Sequence, residues 1–120
     1  MRDDHLSNIL STLNGSSADI EASAVISTSG LMMAALLPQS LDGDRLGAMS
    51  AALHALGERT AAELNRGDLD QVLVKGSDGY VLMAQAGPEA VLTVLASPDA
   101  RLGLVLLDVR RAADDLAQVI

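Results

Sequence analysis

The side chains able to do acid–base or metal chemistry are few in this sequence. The histidines are His5 and His54, and neither belongs to a nucleophile motif with a serine or cysteine. A metal site would need histidine or carboxylate ligands clustered together. The acidic pairs are better explained as helix caps or surface charge: Asp42 with Asp44, and Asp114 with Asp115. We therefore expect no catalytic residue and no metal site, with both histidines exposed to solvent.

The glycine-rich segment Gly76-Ser77-Asp78-Gly79 is the nearest feature to a phosphate-binding loop. It lacks the lysine and the spacing of GxxxxGK[ST], and the dinucleotide pattern GxGxxG does not occur in the chain. A turn between two strands explains this segment better, because glycine and aspartate favour tight turns. The sequence therefore predicts no bound cofactor, and we expect a protein that is not an enzyme.

Composition limits the partners of this chain. Its 120 residues suggest one domain spanning residues 1–120. The net charge is −8 and Tyr80 is the single aromatic residue, so the chain lacks both the basic footprint and the stacking platforms that nucleic-acid binding needs. Without cysteine it can form neither disulfides nor thiolate metal sites, which fits a cytoplasmic location.

Residues 22–41, ASAVISTSGLMMAALLPQSL, form a stretch without charge that is long enough to cross a bilayer as a helix. Polar STSG at its centre argues against insertion into a membrane. A hairpin explains the stretch better: residues 22–27 and 31–36 would be strands, and Ser29-Gly30 the turn between them. Because both strands are uncharged, we expect them in the middle of a sheet that is covered on both faces.

Helical periodicity appears before and after this hairpin. Leu6, Ile9, Leu10 and Leu13 fall on one face of a short first helix. Residues 41–65 form the longest helical segment, with Asp42 or Asp44 as its cap. Six positions at helical spacing, all but one of them large and apolar, predict one buried stripe, listed in chain order: Leu46, Met49, Leu53, Leu56, Thr60 and Leu64. The many alanines beside that stripe would let a second helix approach closely, or simply favour helix formation.

Three strand-like runs follow at residues 69–75, 80–86 and 90–96, with connections too short for crossovers. The first of the three is the most polar and is the expected edge strand. Ser97 is then expected to cap a last helix, with Pro98 in its first turn. The chain is therefore predicted to be an α+β protein of order α-β-β-α-β-β-β-α, with one five-stranded antiparallel sheet between helices.

Three segments carry a resemblance to a known family: GLMMA in the hairpin, ELNRGDLDQVLV where the long helix joins the next strand, and DARLGLVLLDVRRAADDL near the end. Their order and spacing resemble the bacterial roadblock/dynein light chain domain, and the likeness covers almost the entire chain. It implies a profilin-like roadblock fold. No single segment is diagnostic, but their arrangement matches the element order predicted from periodicity.

The resemblance also implies a homodimer in which the second helices lie side by side and the third strands pair into one continuous sheet. The implied dimer interface comprises Ala48, Ala52, Ala55, Gln71, Val72, Leu73, Val74 and Lys75. Members of this family commonly bind small Ras-like GTPases, and the paired helices would be the platform. The exposed contact positions implied for that partner are Arg45, Ser50, His54 and Glu58.

Two functions are consistent with the resemblance. The first is a non-catalytic dimeric regulator of a small Ras-like GTPase, which could act as its activating protein. The second is a structural adaptor that pairs with other roadblock proteins by strand addition. An activator could supply an arginine in trans, and the candidates are Arg45, Arg59 and Arg66, but nothing in their sequence context favours this role.

Overall fold

The computed structural model describes residues 2–120 and confirms the predicted order of helices and strands. In chain order the elements are α1 (Arg2–Ser16), β1 (Ile20–Ser27), β2 (Met32–Leu36), α2 (Gly43–Glu63), β3 (Gln71–Gly76), β4 (Gly79–Gln85), β5 (Ala90–Ala96) and α3 (Leu102–Val119). The five strands form one sheet in which all neighbours are antiparallel.

The strand order across the sheet is β2-β1-β5-β4-β3. The last strand, β5, therefore lies beside the first, β1, with Ala24 opposite Thr93. The polar strand β3 is an edge strand, as its composition predicts. The expectation that both hairpin strands lie mid-sheet is wrong for β2, which is the opposite edge. Its residues are uncharged because both of its faces pack on the two cores, not because both of its edges are paired.

The hairpin turn between β1 and β2 accounts for the polar residues inside the uncharged stretch. Gly30 adopts a φ of +97°, a region that glycine enters without the steric cost of a Cβ. The Ser27 hydroxyl accepts a hydrogen bond from the Leu31 backbone N–H at 3.0 Å. This segment is thus strand and turn, and within residues 2–120 we find no helix with the length and apolar character needed to span a membrane.

The main hydrophobic core lies on the sheet face covered by α1 and α3. Both helices direct their apolar stripes onto it, and its buried side chains include Leu6, Leu10, Leu13, Val25, Leu92, Val94, Val105, Val109 and Leu116. The core under α2, on the other face, is much smaller and consists of Ala24, Ile26 and Leu46 with a few half-buried neighbours. Most of the hydrophobic stabilisation therefore belongs to the α1/α3 face, because it scales with the apolar area removed from water.

The start of α3 differs from the prediction. The helix begins at Leu102, and Ser97 and Pro98 lie in the turn before it. The capping position is Arg101, whose own side chain makes no capping bond. Its backbone N–H donates to Asp19 Oδ2 at 3.0 Å, so a carboxylate from the segment before β1 anchors the start of the helix. This backbone bond, followed by the bond from the Arg101 guanidinium, lowers the pKa of Asp19.

Candidate functional site: the outer face of α2 and the β3 edge

Both ends of helix α2 are formed by residues whose local preferences can be recognised in the sequence. Asp42 has extended backbone angles, and its side chain accepts hydrogen bonds from the backbone N–H groups of Asp44 and Arg45 at 3.0 and 3.4 Å. This is the N-cap arrangement predicted for Asp42. At the other end Asn65 has a φ of +58°, and Gly67 a φ of +85°. Left-handed residues end a helix and redirect the chain, here into β3.

The side of α2 that faces the sheet carries glycine at the points where the helix comes closest to its neighbours. A Cβ built on Gly47 would lie 2.6 Å from the backbone oxygen of Gly30. A Cβ on Gly57 would lie 3.1 Å from side-chain atoms of Leu69 and Val72. Glycine at these two positions therefore lets the helix axis come close to the hairpin turn and to β3. Little room remains between helix and sheet for large side chains.

Two side-chain hydrogen bonds connect α2 to the sheet across this narrow interface. The buried Thr93 hydroxyl donates to the Ser50 hydroxyl at 3.0 Å. His54 Nε2 lies 2.7 Å from Gln85 Oε1 on β4. Ser50 and His54 are both buried, so the prediction that they are exposed is wrong, and neither is available in this structure for direct contact with a partner. Both residues can be buried because side chains on strands distant in sequence form hydrogen bonds with their polar atoms.

The outer face of α2 carries the large apolar residues that the sheet-facing side cannot accommodate. Met49, Leu56 and Leu64 are 55%, 59% and 62% exposed. The predicted buried stripe is therefore wrong for these three residues and for Thr60, which is also exposed. Leu46 is buried as expected, and Leu53 is half-buried. The predicted interface alanines lie on the same outer side and are exposed: Ala48, Ala52 and Ala55. We call Ala48, Met49, Ala52, Ala55 and Leu56 the α2 outer face.

The edge strand β3 lies next to this face, because Val72 packs under Gly57 of α2. Gln71 and Val72 are half-buried, whereas Leu73, Val74 and Lys75 are exposed. The Lys75 ammonium sits 5.8 Å from the centre of the Tyr80 ring, within the range of a cation–π contact. Two apolar side chains thus lie exposed on a strand that has one unpaired edge, an arrangement that invites pairing with another strand.

The charged residues of α2 frame the outer face. Arg45 and Glu58 are exposed, as predicted for contact positions. Arg59 Nε donates to Glu63 Oε1 at 3.1 Å, one helical turn along α2. Of the three arginines considered for a role in trans, Arg59 is therefore engaged in an ion pair within its own helix. A groove of about 720 Å³ runs beside this pair, between α2 and the segment leading to β3. In residues 2–120 no group of three histidine or acidic side chains is arranged to hold a metal ion.

Comparison with known proteins identifies the family. The model of the Roadblock/LC7 domain matches residues 6–96, which is more than half of the chain. The chain belongs to the Roadblock/LC7 family. MJ0310 of Methanocaldococcus jannaschii is 41% identical over 97 residues, covering 81% of this chain and 84% of that protein.

Solved structures share the fold of this Roadblock/LC7 chain. MglB of Myxococcus xanthus superposes with a TM-score of 0.90 at 19% identity, over 98% of this chain and 88% of MglB. Profilin II of Acanthamoeba castellanii superposes with a TM-score of 0.69 at 19% identity, over 94% of this chain and 97% of the profilin. The profilin-like roadblock fold inferred from the sequence is therefore confirmed.

Sequence reasoning missed the residues that set the orientation of α2 in this Roadblock/LC7 chain. Gly47 and Gly57 lie inside a helix, where glycine is less stable than alanine. Two glycines at such positions are therefore a sequence signal that another part of the chain packs closely against them. Large apolar residues at helical spacing usually are buried, so periodicity predicts Met49 and Leu56 in the core, where the structure does not place them. Gln85 had no signal at all, since its partner His54 lies 31 residues away.

Proposed function

We propose that this chain is a dimeric regulator that binds a small Ras-like GTPase and does no chemistry of its own. The observation that carries the proposal is the orientation of α2. Its small and polar side packs on the sheet, and its large apolar side chains point outward. Contiguous exposed apolar residues of this kind mark interaction sites. The roadblock resemblance supplies the partner class, since members of this family commonly bind such GTPases.

The α2 outer face suits pairing with a second copy of itself. Alanines at Ala48, Ala52 and Ala55 allow two helix axes to approach closely, and Met49 and Leu56 supply apolar area. Pairing of the adjacent β3 edges would extend the sheet across both copies.

The dimer is tested by placing a charge on the α2 outer face. Ala52→Glu would bury an unpaired carboxylate between the helices, which is costly. Light scattering during gel filtration is expected to give twice the chain mass of 12.4 kDa for the parent and the single chain mass for Ala52→Glu. Ala117→Glu, on the exposed side of α3, is the matched control and should leave the dimer intact. A dimeric Ala52→Glu would refute the interface.

The regulatory part is tested with the GTPase itself. A regulator must bind one nucleotide state more tightly, because only differential affinity shifts a switch. We expect a pull-down to retain more of the GTPase in one of its two states, bound to GDP or bound to a non-hydrolysable GTP analogue, than in the other. The Arg45→Ala change should weaken that retention. Equal retention in the two states would refute regulation. An unchanged hydrolysis rate would remove only the activating role, for which positioning of the GTPase's own groups is the mechanism considered.

The adaptor alternative is favoured by the β3 edge. Leu73 and Val74 are exposed on a strand whose outer edge is unpaired, so the strand of another roadblock protein could add there. In that case the chain would co-purify with a second roadblock protein and with no GTPase. In the β3–β4 register Val74 pairs with Val81, so the N–H that points to the free edge is that of the neighbouring Leu73. A Leu73→Pro change removes this outward donor from β3 and should abolish such pairing. The same variant should bind a GTPase normally if the α2 outer face alone is the platform.

A further inference from the structure

The hairpin that joins β3 to β4 fixes which backbone groups of β3 point to its free edge. Gly76 pairs with Gly79 across the two-residue turn Ser77-Asp78, so these two residues exchange hydrogen bonds with each other. In an antiparallel ladder hydrogen-bonded pairs alternate with non-bonded pairs. Counting back from Gly76, every second residue of β3 therefore bonds to β4, and the residues between them direct N–H and C=O groups outward. The outward residues are Gln71, Leu73 and Lys75.

A second copy of the chain can use these outward groups in only a few registers. In a symmetric pair, if one residue lies opposite another, the reverse also holds in the other copy. Centring the pair on Leu73 places Leu73 opposite its own counterpart and each Gln71 opposite a Lys75. All three outward residues then form hydrogen-bonded pairs of two bonds each. Centring on Val72 or Val74 leaves one outward residue beyond the end of the other strand, so fewer bonds form.

The sequence of β3 is nearly the same in both directions, because residues 71–75 are QVLVK. A register centred on Leu73 therefore sets apolar side chains against apolar ones. Leu73 is 47% exposed and lies opposite the buried Leu82, so it points to the α1/α3 side of the sheet. Val74 is 41% exposed on the other side and would meet Val72 of the other copy. Pairing in this register covers the exposed apolar side chains of both faces.

The two ends of the strand distinguish this register from its neighbours. The Lys75 ammonium lies 5.8 Å from the centre of the Tyr80 ring and keeps N–H donors for a further partner. Opposite Gln71 of the other copy it gains the amide oxygen as an acceptor. A register centred on Val74 would instead put the two Lys75 residues at diagonal positions, where like charges repel. Centring on Leu73 keeps them at opposite ends of the paired strands.

We propose that β3 is a self-recognition strand, which pairs with β3 of a second copy in the register centred on Leu73 and is held in that register by Gln71–Lys75 contacts at both ends. The inference rests on the dimer of the proposed function and specifies which residues meet in it. The near-palindromic sequence favours a second copy of this chain over an unrelated strand, because each side chain then meets one of matching polarity.

Disulfide trapping tests the register, because the chain contains no cysteine and each variant carries only the thiol that is introduced. Leu73→Cys is expected to form a disulfide-linked dimer under mild oxidation. Opposite Cα atoms of a hydrogen-bonded pair lie about 5.5 Å apart, within the reach of a disulfide. Val74→Cys is the matched control, because its two copies would lie diagonally at about 7–8 Å, beyond that reach. A mixture of Val72→Cys and Val74→Cys should cross-link, whereas neither should alone.

Non-reducing gels and light scattering together separate the possible outcomes. Cross-linking of Val74→Cys alone, without cross-linking of Leu73→Cys, would overturn the register. A Leu73→Cys variant that has the dimer mass but stays unlinked would also overturn it, while leaving the dimer of the proposed function intact. A parent of single-chain mass would refute that dimer and the self-recognition strand with it.

An exchange of the end residues tests whether they select the register. Gln71→Lys places two lysines opposite each other at both ends and is expected to raise the dimer dissociation constant about two- to thirtyfold, the range for two opposed like-charge pairs. The double change Gln71→Lys/Lys75→Gln restores an amide opposite each ammonium. It should return the constant to within about threefold of the parent, measured by sedimentation equilibrium. An unchanged constant for Gln71→Lys, or a double variant as weak as Gln71→Lys, would contradict the role of these ends.

Discussion

Replacing Gly47 with alanine tests the close approach on which the orientation of α2 depends. The new Cβ would lie 2.6 Å from the backbone oxygen of Gly30, whereas ordinary contacts begin near 3.4 Å. The obstacle is backbone, so no side chain can rotate away. Helix α2 or the β1–β2 turn must move by several tenths of an ångström.

The expected cost combines two opposing effects. Overpacking of this kind costs about 1–3 kcal/mol, and alanine recovers about 0.5–1 kcal/mol in a helix interior relative to glycine. We therefore expect Gly47→Ala to lower the free energy of unfolding by about 1 kcal/mol, within a range of about 0–2.5 kcal/mol. Gly103→Ala is the matched control, because its Cβ would meet no atom within 4 Å on α3. That variant should equal the parent or exceed it by up to about 0.5 kcal/mol.

The assay is urea unfolding followed by circular dichroism at 222 nm, since the chain has no tryptophan to report fluorescence. All three proteins must be compared at one chain concentration, because a dimer makes apparent stability concentration-dependent. If Gly47→Ala proves as stable as Gly103→Ala, α2 does not approach the hairpin as closely as the structure shows. The account of why its large residues face outward would then fail with it.

Two further predictions concern contacts away from the α2 outer face. Thr93→Val should lower the free energy of unfolding by about 1–3 kcal/mol, because the buried Ser50 hydroxyl loses its donor. In a double-mutant cycle measured in urea, the Thr93→Val/Ser50→Ala variant should lose less stability than the sum of the two single variants. Strict additivity would contradict the hydrogen bond. Asp19 has a lowered pKa, so its ionised form stabilises the fold above its unfolded value of about 3.9, and that contribution is lost as pH falls. Asp19→Asn should therefore destabilise the chain at neutral pH, with the gap to the parent closing below about pH 4 in acid-unfolding curves; a constant gap would refute the assignment.

Much of the fold could be predicted because it depends on local pattern. The apolar spacing of α1 places Leu6, Leu10 and Leu13 on one face, and the structure buries all three. The turn at Gly30 and the cap at Asp42 follow from the conformational preferences of single residues. The start of α3 could not be found in this way. The carboxylate that anchors its first residues, Asp19, comes from a segment far away in sequence, so the local signal at Ser97 is misleading.

The candidate site was predictable in part. The alanines predicted to face a partner are exposed on α2, and the polar strand β3 is an edge strand, as predicted. The contact positions were less accessible to sequence reasoning, because Ser50 and His54 look like ordinary polar surface residues of a helix. Their burial depends on Thr93 and Gln85, which reach them only after β5 and β4 join the sheet.

Short-range periodicity and turn chemistry thus decided which segments of this protein are helix, strand or turn, because those preferences act between neighbouring residues. The tertiary structure decided which side of α2 is inside. Large apolar residues are normally buried, but here Gly30 meets Gly47 and Val72 meets Gly57, so the space beneath the helix holds Leu46 and otherwise mainly small and polar groups. Met49 and Leu56 consequently face outward, and His54 lies beneath the helix between Gln85 and Glu58. Contacts between residues far apart in sequence set that choice, and no single segment contains them.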